Sequence, residues 1–138
     1  MSFSDPTQQQ LSKVTDPAIR HLASCGSVRA FAKHAVIISE GDSSDTLYVV
    51  LSGRVKVFVS DADGVEMILA TRGAGELIGE LALDGRVRSA SVVTLEPSTF
   101  AVIPRIALRA AVVADPDFAL KLIDVLIEIG RASCRERV

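Results

Sequence analysis

Residues 79–91 of this chain read GELALDGRVRSAS, and this stretch carries the clearest chemical signal in the sequence. Gly79 permits a close approach of the backbone and is followed at once by the carboxylate of Glu80. Arg88 and Ser89 come a few residues later, just before a run rich in β-forming residues. A carboxylate is a good acceptor for a sugar hydroxyl, and an arginine can hold a phosphate through two charge-assisted hydrogen bonds.

A short helical turn around Leu81 to Leu83 would add free backbone amides, which also bind anions. Together these groups suit a small anionic ligand that carries both a phosphate and a free hydroxyl. The same residues also have a plainer interpretation, in which Glu80 and Arg88 form a surface ion pair. The residue types alone leave both interpretations open.

The region from Val28 to Ile103 predicts many short strands, because runs rich in Val, Ile and Leu are separated by Gly, Asp and Ser. The strand candidates read VRAFAKH, AVII, LYVVLSG, RVKVFVS, VEMILAT, SASVVTL and TFAVI. The tetrapeptide DADG at residues 61–64 predicts a hairpin turn between two of them. This pattern favours a mainly β fold with flanking helices, arranged as a small antiparallel barrel or roll.

Helices are predicted on both sides of the strands. Asp16 and Pro17 form a helix start signal, and residues 18–24 are predicted to be a short helix. Asp115 with Pro116 repeats the same start signal near the end of the chain. A short helix over 105–113 lies before it. We predict that the last helix ends at Glu128, because Gly130 follows and the apolar periodicity stops there.

The last predicted helix has a narrow polar stripe made of Lys121, Asp124 and Glu128. The apolar residues cover an arc too wide to be buried against one surface. The helix therefore either packs on the roll with one side and on a partner helix with the other, or is simply well buried.

Residues 79–91 resemble the phosphate-binding cassette of the cyclic-nucleotide-binding domain in the CRP/FNR family of bacterial transcription regulators. The family pattern is roughly G-E-[LIM]-A, a short variable loop, and R-[ST]-A, and residues 79–82 and 88–90 match its two halves. ISEGD at 38–42 and YVVLSGRVKV at 48–57 resemble two further family segments. The resemblance covers about residues 18–128 and implies an antiparallel β-roll of the jelly-roll, or double-stranded β-helix, type.

The resemblance also implies a role for each matching residue. Glu80 would accept a hydrogen bond from the ribose 2′-hydroxyl, and Arg88 would pair with the cyclic phosphate. The Ser89 hydroxyl and the backbone amides near Ala82 and Leu83 would assist Arg88, while Gly79 would let the chain pass close to the sugar. The remaining predicted ligand-site residues are Leu81 and Ala90. Ser89, where some relatives have threonine, favours cAMP over cGMP.

The function that this resemblance implies is that of a cAMP sensor in a homodimeric transcription regulator. The dimer would form through the C-terminal helix of the full-length protein, and DNA would be bound only by a helix-turn-helix domain that is missing from this chain. One alternative is a cyclic-nucleotide module that stands alone or is attached to an enzyme or a transporter. Another is a sensor fold that binds no nucleotide, which the presence of both Glu80 and Arg88 disfavours.

The two ends of the chain are interpreted separately from the domain at 15–128. Residues 1–14 are polar and are predicted to be flexible and loosely attached. Residues 129–138, IGRASCRERV, resemble a translated sequencing adapter and are predicted to be a non-native tail, the alternative being a genuine basic tail. Without its three Arg and one Glu, 15 basic and 17 acidic residues become 12 and 16, a net charge of -4.

Composition disfavours several other classes of function. A net charge of -2 is unlike that of a domain that grips DNA by itself. The first residues do not read as a signal peptide, and no apolar run approaches membrane-spanning length, so we expect a cytoplasmic protein. His21 and His34 are too far apart in sequence to suggest a metal site. The isolated Cys25 and Cys134 read as reduced thiols. We predict no catalytic residue, no metal and no enzymatic activity.

Overall fold

Eight strands lie between two pairs of helices in the part of the chain that our computed structural model describes, residues 5–80 and 87–136. The helices are α1 (Gln8–Leu11), α2 (Pro17–Ser24), α3 (Arg105–Ala114) and α4 (Pro116–Glu136). The strands are β1 (Ser27–Phe31), β2 (Val36–Ile38), β3 (Leu47–Ser52), β4 (Arg54–Ser60), β5 (Glu66–Gly73), β6 (Leu77–Ile78), β7 (Ser91–Thr94) and β8 (Ser98–Ile103).

The strands form two four-stranded antiparallel sheets, with the orders β1-β8-β3-β6 and β2-β7-β4-β5. Consecutive strands often belong to different sheets, so the chain crosses between them as it does in a jelly roll. The predicted mainly β architecture with flanking helices is therefore confirmed. Strand β6 was not predicted, because two residues are too few to show a periodic pattern.

Strand β3 is buried on both faces and separates two apolar cores. Leu47, Val49 and Leu51 point towards the helices, where they pack in a cluster with Leu22 and Phe118. The residues between them, Tyr48 and Val50, face the interior of the roll with Val55 and Phe100. This alternation follows from the two-residue period of a strand. It places the helices outside one sheet and leaves the roll interior apolar.

The turn between β4 and β5 is formed as predicted. The Asp61 amide donates to the Val65 carbonyl at 3.0 Å, and the Gly64 amide donates to the Asp61 carbonyl at the same distance. Gly64 has φ 81°, a left-handed conformation that favours glycine.

Both predicted helix starts are confirmed. The Asp16 carboxylate accepts hydrogen bonds from the amides of Ala18 (2.9 Å) and Ile19 (3.2 Å) at the start of α2. At the start of α4, Asp115 Oδ1 accepts from the amide of Phe118 at 3.2 Å. These caps satisfy amides that the helix itself leaves unpaired.

The prediction of a loosely attached N-terminus is wrong for residues 5–14. Thr7 caps α1 by accepting from the Gln10 amide, and Leu11 and Val14 are 7% and 0% exposed within the helix-side core. Two apolar side chains in a polar segment give no periodic signal, but they are enough to fix the segment to the domain.

The prediction that the last helix ends at Glu128 is also wrong. Helix α4 runs through Gly130 to Glu136, and Arg131 pairs with Glu128 at 3.1 Å on its surface. Glycine in a helix interior costs only about 1 kcal/mol relative to alanine, so one glycine does not have to end a helix. The structure leaves the prediction of a non-native tail at 129–138 untested.

Helix α4 presents apolar side chains on two faces. Phe118 and Leu122 are buried against the domain, each 4% exposed, whereas Leu120 (64%), Ile123 (51%) and Ile127 (46%) are exposed. The sequence left two interpretations of this helix open. The one in which its whole apolar arc is buried within the chain does not hold. In the described part of the chain, no helix combines the length and the apolar character needed to cross a membrane.

Candidate functional site

Arg88 is bound through its main chain to the turn that joins β2 to β3. The Arg88 amide donates to the Asp42 carbonyl at 2.7 Å, and the Gly41 amide donates to the Arg88 carbonyl at 2.8 Å. These two hydrogen bonds fix Arg88 three residues before β7 begins at Ser91. The position of the guanidinium is thus set by contacts between segments more than 40 residues apart in sequence.

The Arg88 side chain is buried, with 3% of its surface exposed, and is held by neutral acceptors. Nη1 donates to the Gly79 carbonyl at 2.9 Å, and Nη2 donates to the Thr46 carbonyl at 2.6 Å. Nη2 and Nε also donate to the Ser44 hydroxyl, at 3.0 and 3.3 Å. Within the described residues no carboxylate lies within ion-pair distance of this guanidinium, so the surface ion pair between Glu80 and Arg88 is not formed.

The charge on Arg88 is buried at an electrostatic cost. Burial lowers the pKa of the guanidinium, and the nearby Tyr48, Asp45, Asp42 and Glu80 oppose this shift from a distance. Because arginine remains protonated in proteins, the result is a buried cation that no carboxylate among the described residues contacts directly. Such a cation is suited to binding an anion.

Gly79 lies directly against this guanidinium. Its φ is 87°, and a Cβ atom at this position would lie 2.9 Å from Arg88 Nη1 and 3.1 Å from the Thr46 carbonyl oxygen. Glycine is therefore required here both by the backbone conformation and by the close packing of Arg88.

Glu80 follows Gly79 and is partly buried. Burial raises the pKa of its carboxyl above the ordinary value of 4.5, while its own backbone amide, Arg72 and Arg88 favour the ionised form and limit the shift. At neutral pH the site thus contains a partly desolvated acceptor next to a buried cation.

We expect the Glu80→Gln variant to be more stable than the wild type, and the gain to grow with pH. The folded-state pKa of Glu80 lies above its unfolded value, so the folded state binds more protons between the two values and loses stability as pH rises through them. Removing the carboxyl removes this loss. Urea unfolding of both proteins at pH 4 and pH 7 tests the sign, and a gain that is larger at pH 4 would contradict it.

Comparison with known proteins identifies the family to which this site belongs. The sequence profile of the family described as cyclic nucleotide-binding domain matches residues 28–115, more than half of the chain. This chain belongs to the cyclic nucleotide-binding domain family. The resemblance based on three sequence motifs is therefore confirmed, and residues 79–90 remain the predicted cassette.

Two regulators and one separate domain illustrate the similarity. The chain is 32% identical over 110 residues to the cAMP-activated global transcriptional regulator CRP of Salmonella typhimurium, covering 78% of this chain and 52% of that protein. The catabolite activator protein of Thermus thermophilus superposes with a TM-score of 0.75 at 32% identity, over 92% of this chain and 61% of the other. A cyclic nucleotide-binding domain from Methylobacillus flagellatus superposes with a TM-score of 0.84 at 27% identity, over 98% of this chain and 84% of the other.

These figures show that the chain spans about half the length of the curated regulators it matches. The matched half contains the roll and the cassette.

The structure brings together some of the predicted cassette residues. Gly79 contacts Arg88 directly, and Glu80 lies close enough to influence its charge. Ser89 is exposed and Ala90 is partly buried just before β7. Leu81, Ala82 and Leu83 lie outside the described residues. The contacts that the resemblance implies with a sugar, a phosphate or a base remain predictions.

Sequence reasoning missed three neighbours of the cassette. Ser44 and Thr46 supply acceptors to Arg88 from the β2–β3 turn. Arg72, near the end of β5, acts on the charge of Glu80. Arg72 stands opposite Val55 in the β4–β5 register, and paired residues share a face, so its side chain lies on the side of the roll interior. The resemblance included the segment at 38–42, but no local pattern links Ser44 or Thr46 to Arg88.

A cleft of about 420 Å³ lies beside the cassette, between the roll and the helices. Helix α2, the segment from Arg72 to Leu77, and α4 line it, and the lining residues are Ile19, Arg72, Gly75, Glu76, Leu77, Glu128 and Ile129. Arg72 thus belongs both to this cleft and to the surroundings of Glu80. Through Arg72 the cleft borders the surroundings of Glu80, and through Glu128 and Ile129 it borders α4.

Proposed function

We propose that this chain is a cAMP-binding sensor domain in which Arg88 binds the cyclic phosphate and Glu80 accepts a hydrogen bond from the ribose 2′-hydroxyl. The observation that carries the proposal is the buried guanidinium of Arg88, which among the described residues is held by two carbonyls and a hydroxyl rather than by a carboxylate. A cyclic phosphate has one negative charge and can replace neutral acceptors at this cation with charge-assisted hydrogen bonds.

The electrostatics of Arg88 support an anionic ligand. Within the described residues, Asp42, Asp45 and Glu80 act on this cation from a distance, and its direct hydrogen-bond partners are neutral. A phosphate would place a negative charge in direct contact with the buried guanidinium. The relative from Salmonella is described as cAMP-activated, and Ser89 has the residue type that favours cAMP over cGMP.

The output that we propose is transcription regulation in a homodimer, without enzymatic activity, in the cytoplasm. The curated relative from Salmonella is a transcription regulator of which the matched segment is 52%, so we assign DNA binding to sequence outside this chain. The exposed Leu120, Ile123 and Ile127 form an apolar stripe on α4 that suits a second copy of the same helix.

The coupling between ligand and output is a shift between two populations. Glu128 and Ile129 of α4 line the same cleft as Arg72, whose charge acts on Glu80. We infer that α4 has two positions and that a bound ligand shifts the population towards the one it contacts better. In a dimer, the favoured position of α4 would set the geometry of the two DNA-binding domains.

The test of the Glu80 role uses two ligands that differ by one hydroxyl. Glu80→Ala is expected to weaken cAMP binding by about 5- to 150-fold, or about 1 to 3 kcal/mol, and to leave 2′-deoxy-cAMP binding nearly unchanged, because only cAMP has the hydroxyl. Isothermal titration of wild type and variant with both ligands measures this difference. Equal losses for the two ligands would mean that Glu80 does not contact the 2′-hydroxyl.

Glu96→Ala is the matched control. Glu96 is an exposed glutamate in the turn between β7 and β8. This variant removes the same charge from the domain and is expected to bind both ligands as the wild type does.

A further inference from the structure

The donors of Arg88 are almost fully used by other groups of the chain. A guanidinium has five N–H groups. Within the described part of the chain, Nε and Nη2 share the Ser44 hydroxyl, the second Nη2 hydrogen goes to Thr46, and one Nη1 hydrogen goes to Gly79. Four of the five N–H groups are therefore engaged, so a phosphate must displace at least one acceptor to bind through two adjacent donors.

The three acceptors differ in how easily they can leave. The Thr46 and Gly79 carbonyls belong to the main chain immediately before β3 and immediately after β6, where strand pairing fixes the backbone. The Ser44 hydroxyl belongs to an exposed side chain in a turn, and rotation about one bond removes it. Ser44 is therefore the acceptor that can be exchanged without breaking a strand.

Ser44 also occupies the edge of the guanidinium that matters most for a phosphate. Bidentate binding of a phosphate uses two parallel N–H groups, and Nε with Nη2 is such a pair. Both atoms point at the single oxygen of Ser44, at 3.3 and 3.0 Å. One neutral oxygen thus satisfies two donors that two phosphate oxygens could satisfy better.

We propose that Ser44 competes with the ligand's phosphate for the Nε–Nη2 edge of Arg88 and so lowers the affinity of the domain for cyclic nucleotides. This inference rests on the proposed function, because it assumes that Arg88 receives the phosphate. In the free protein the hydroxyl keeps the buried cation hydrogen-bonded, and in the complex it rotates out to solvent. Ser44 is a positioning residue that sets the affinity of the sensor for its ligand.

The test is isothermal titration of the whole chain with cAMP. Ser44→Ala is expected to bind about three- to tenfold more tightly, because the ligand no longer displaces a hydrogen-bonded hydroxyl, although water partly replaces it in the free protein. Ser44→Thr keeps a hydroxyl and is expected to return the affinity close to that of the wild type. Ser43→Ala changes an exposed serine in the same turn and is the control for the turn itself.

Thermal unfolding gives a second readout that a general change in the turn would not produce. Free Ser44→Ala should melt below free wild type, because the buried guanidinium loses its acceptor. With saturating cAMP the two proteins should melt at the same temperature, because the phosphate occupies that edge in both. If Ser44→Ala still melts below the wild type when cAMP is bound, Ser44 does not compete with the phosphate.

The outcomes separate this inference from the proposed function. If wild type fails to bind cAMP, or if Arg88→Ala binds as well as wild type, the proposed function fails and the role of Ser44 fails with it. If binding depends on Arg88 but Ser44→Ala binds equally or more weakly, only the role of Ser44 is overturned.

Discussion

Arg88→Ala is expected to weaken cAMP binding by about 30- to 1000-fold, or about 2 to 4 kcal/mol. Arg88 is 3% exposed, and it is the cation of the cassette that neutral groups hold in place. Its removal takes away the charge-assisted hydrogen bonds to a largely buried phosphate, and no neighbouring side chain occupies the same position. Isothermal titration with cAMP measures the loss.

Two controls make this result interpretable. Arg105→Ala removes an exposed arginine at the start of α3 and should leave cAMP affinity unchanged. Arg88→Ala also leaves the Thr46 and Gly79 carbonyls without their donor, so thermal unfolding must first show that the variant is folded. A folded Arg88→Ala protein that binds cAMP within threefold of wild type would remove Arg88 from the phosphate site.

Gly79→Ala is expected to damage both the stability of the fold and ligand binding. Its left-handed backbone costs about 1 to 2 kcal/mol for a residue with a side chain. The new methyl group would also lie 2.9 Å from Arg88 Nη1 and 3.1 Å from the Thr46 oxygen, so the guanidinium must move. Urea unfolding should show the loss of stability, and titration should show cAMP affinity at least tenfold lower, because a charge-assisted contact is misplaced.

Gly64→Ala separates these two effects. Gly64 has nearly the same conformation, with φ 81° against 87° for Gly79, but a Cβ atom there would meet nothing within 4 Å. This variant should therefore lose only the conformational part of the stability and bind cAMP as the wild type does. If Gly64→Ala and Gly79→Ala behave alike, the close packing of Gly79 against Arg88 has no functional role.

The sequence was sufficient to predict the parts of the fold that depend on local signals. Asp16 caps α2, and the turn at 61–64 closes the hairpin, because in both places the required residue types are adjacent in the chain. The strands of the roll were found from their short apolar runs. Strand β6 was missed, because Leu77 and Ile78 alone give no alternating pattern.

The two ends of the chain show where local signals fail. Leu11 and Val14 are buried by contacts with residues distant in sequence, and no local pattern in a polar segment predicts such contacts. Gly130 predicts a helix end, but α4 continues past it. A glycine in a helix interior lowers helix stability by only about 1 kcal/mol relative to alanine. In both cases the stability of the segment depends on its surroundings more than on its own composition.

For the candidate site, the sequence predicted the reactive groups but not the way they are held. Arg88 and Glu80 were identified from residue type and motif spacing. The groups that hold Arg88 are Ser44 and Thr46, which precede it by 44 and 42 residues, and no sequence periodicity connects positions so far apart. Only the fold brings the β2–β3 turn against the cassette.

The most direct test of the central claim is isothermal titration of the whole chain with cAMP, cGMP and 2′-deoxy-cAMP. We predict saturable binding of cAMP, with one ligand per chain, and weaker binding of cGMP and of the 2′-deoxy ligand. A chain that is folded by circular dichroism but binds none of the three would contradict the assignment of residues 79–90 as a functional nucleotide site.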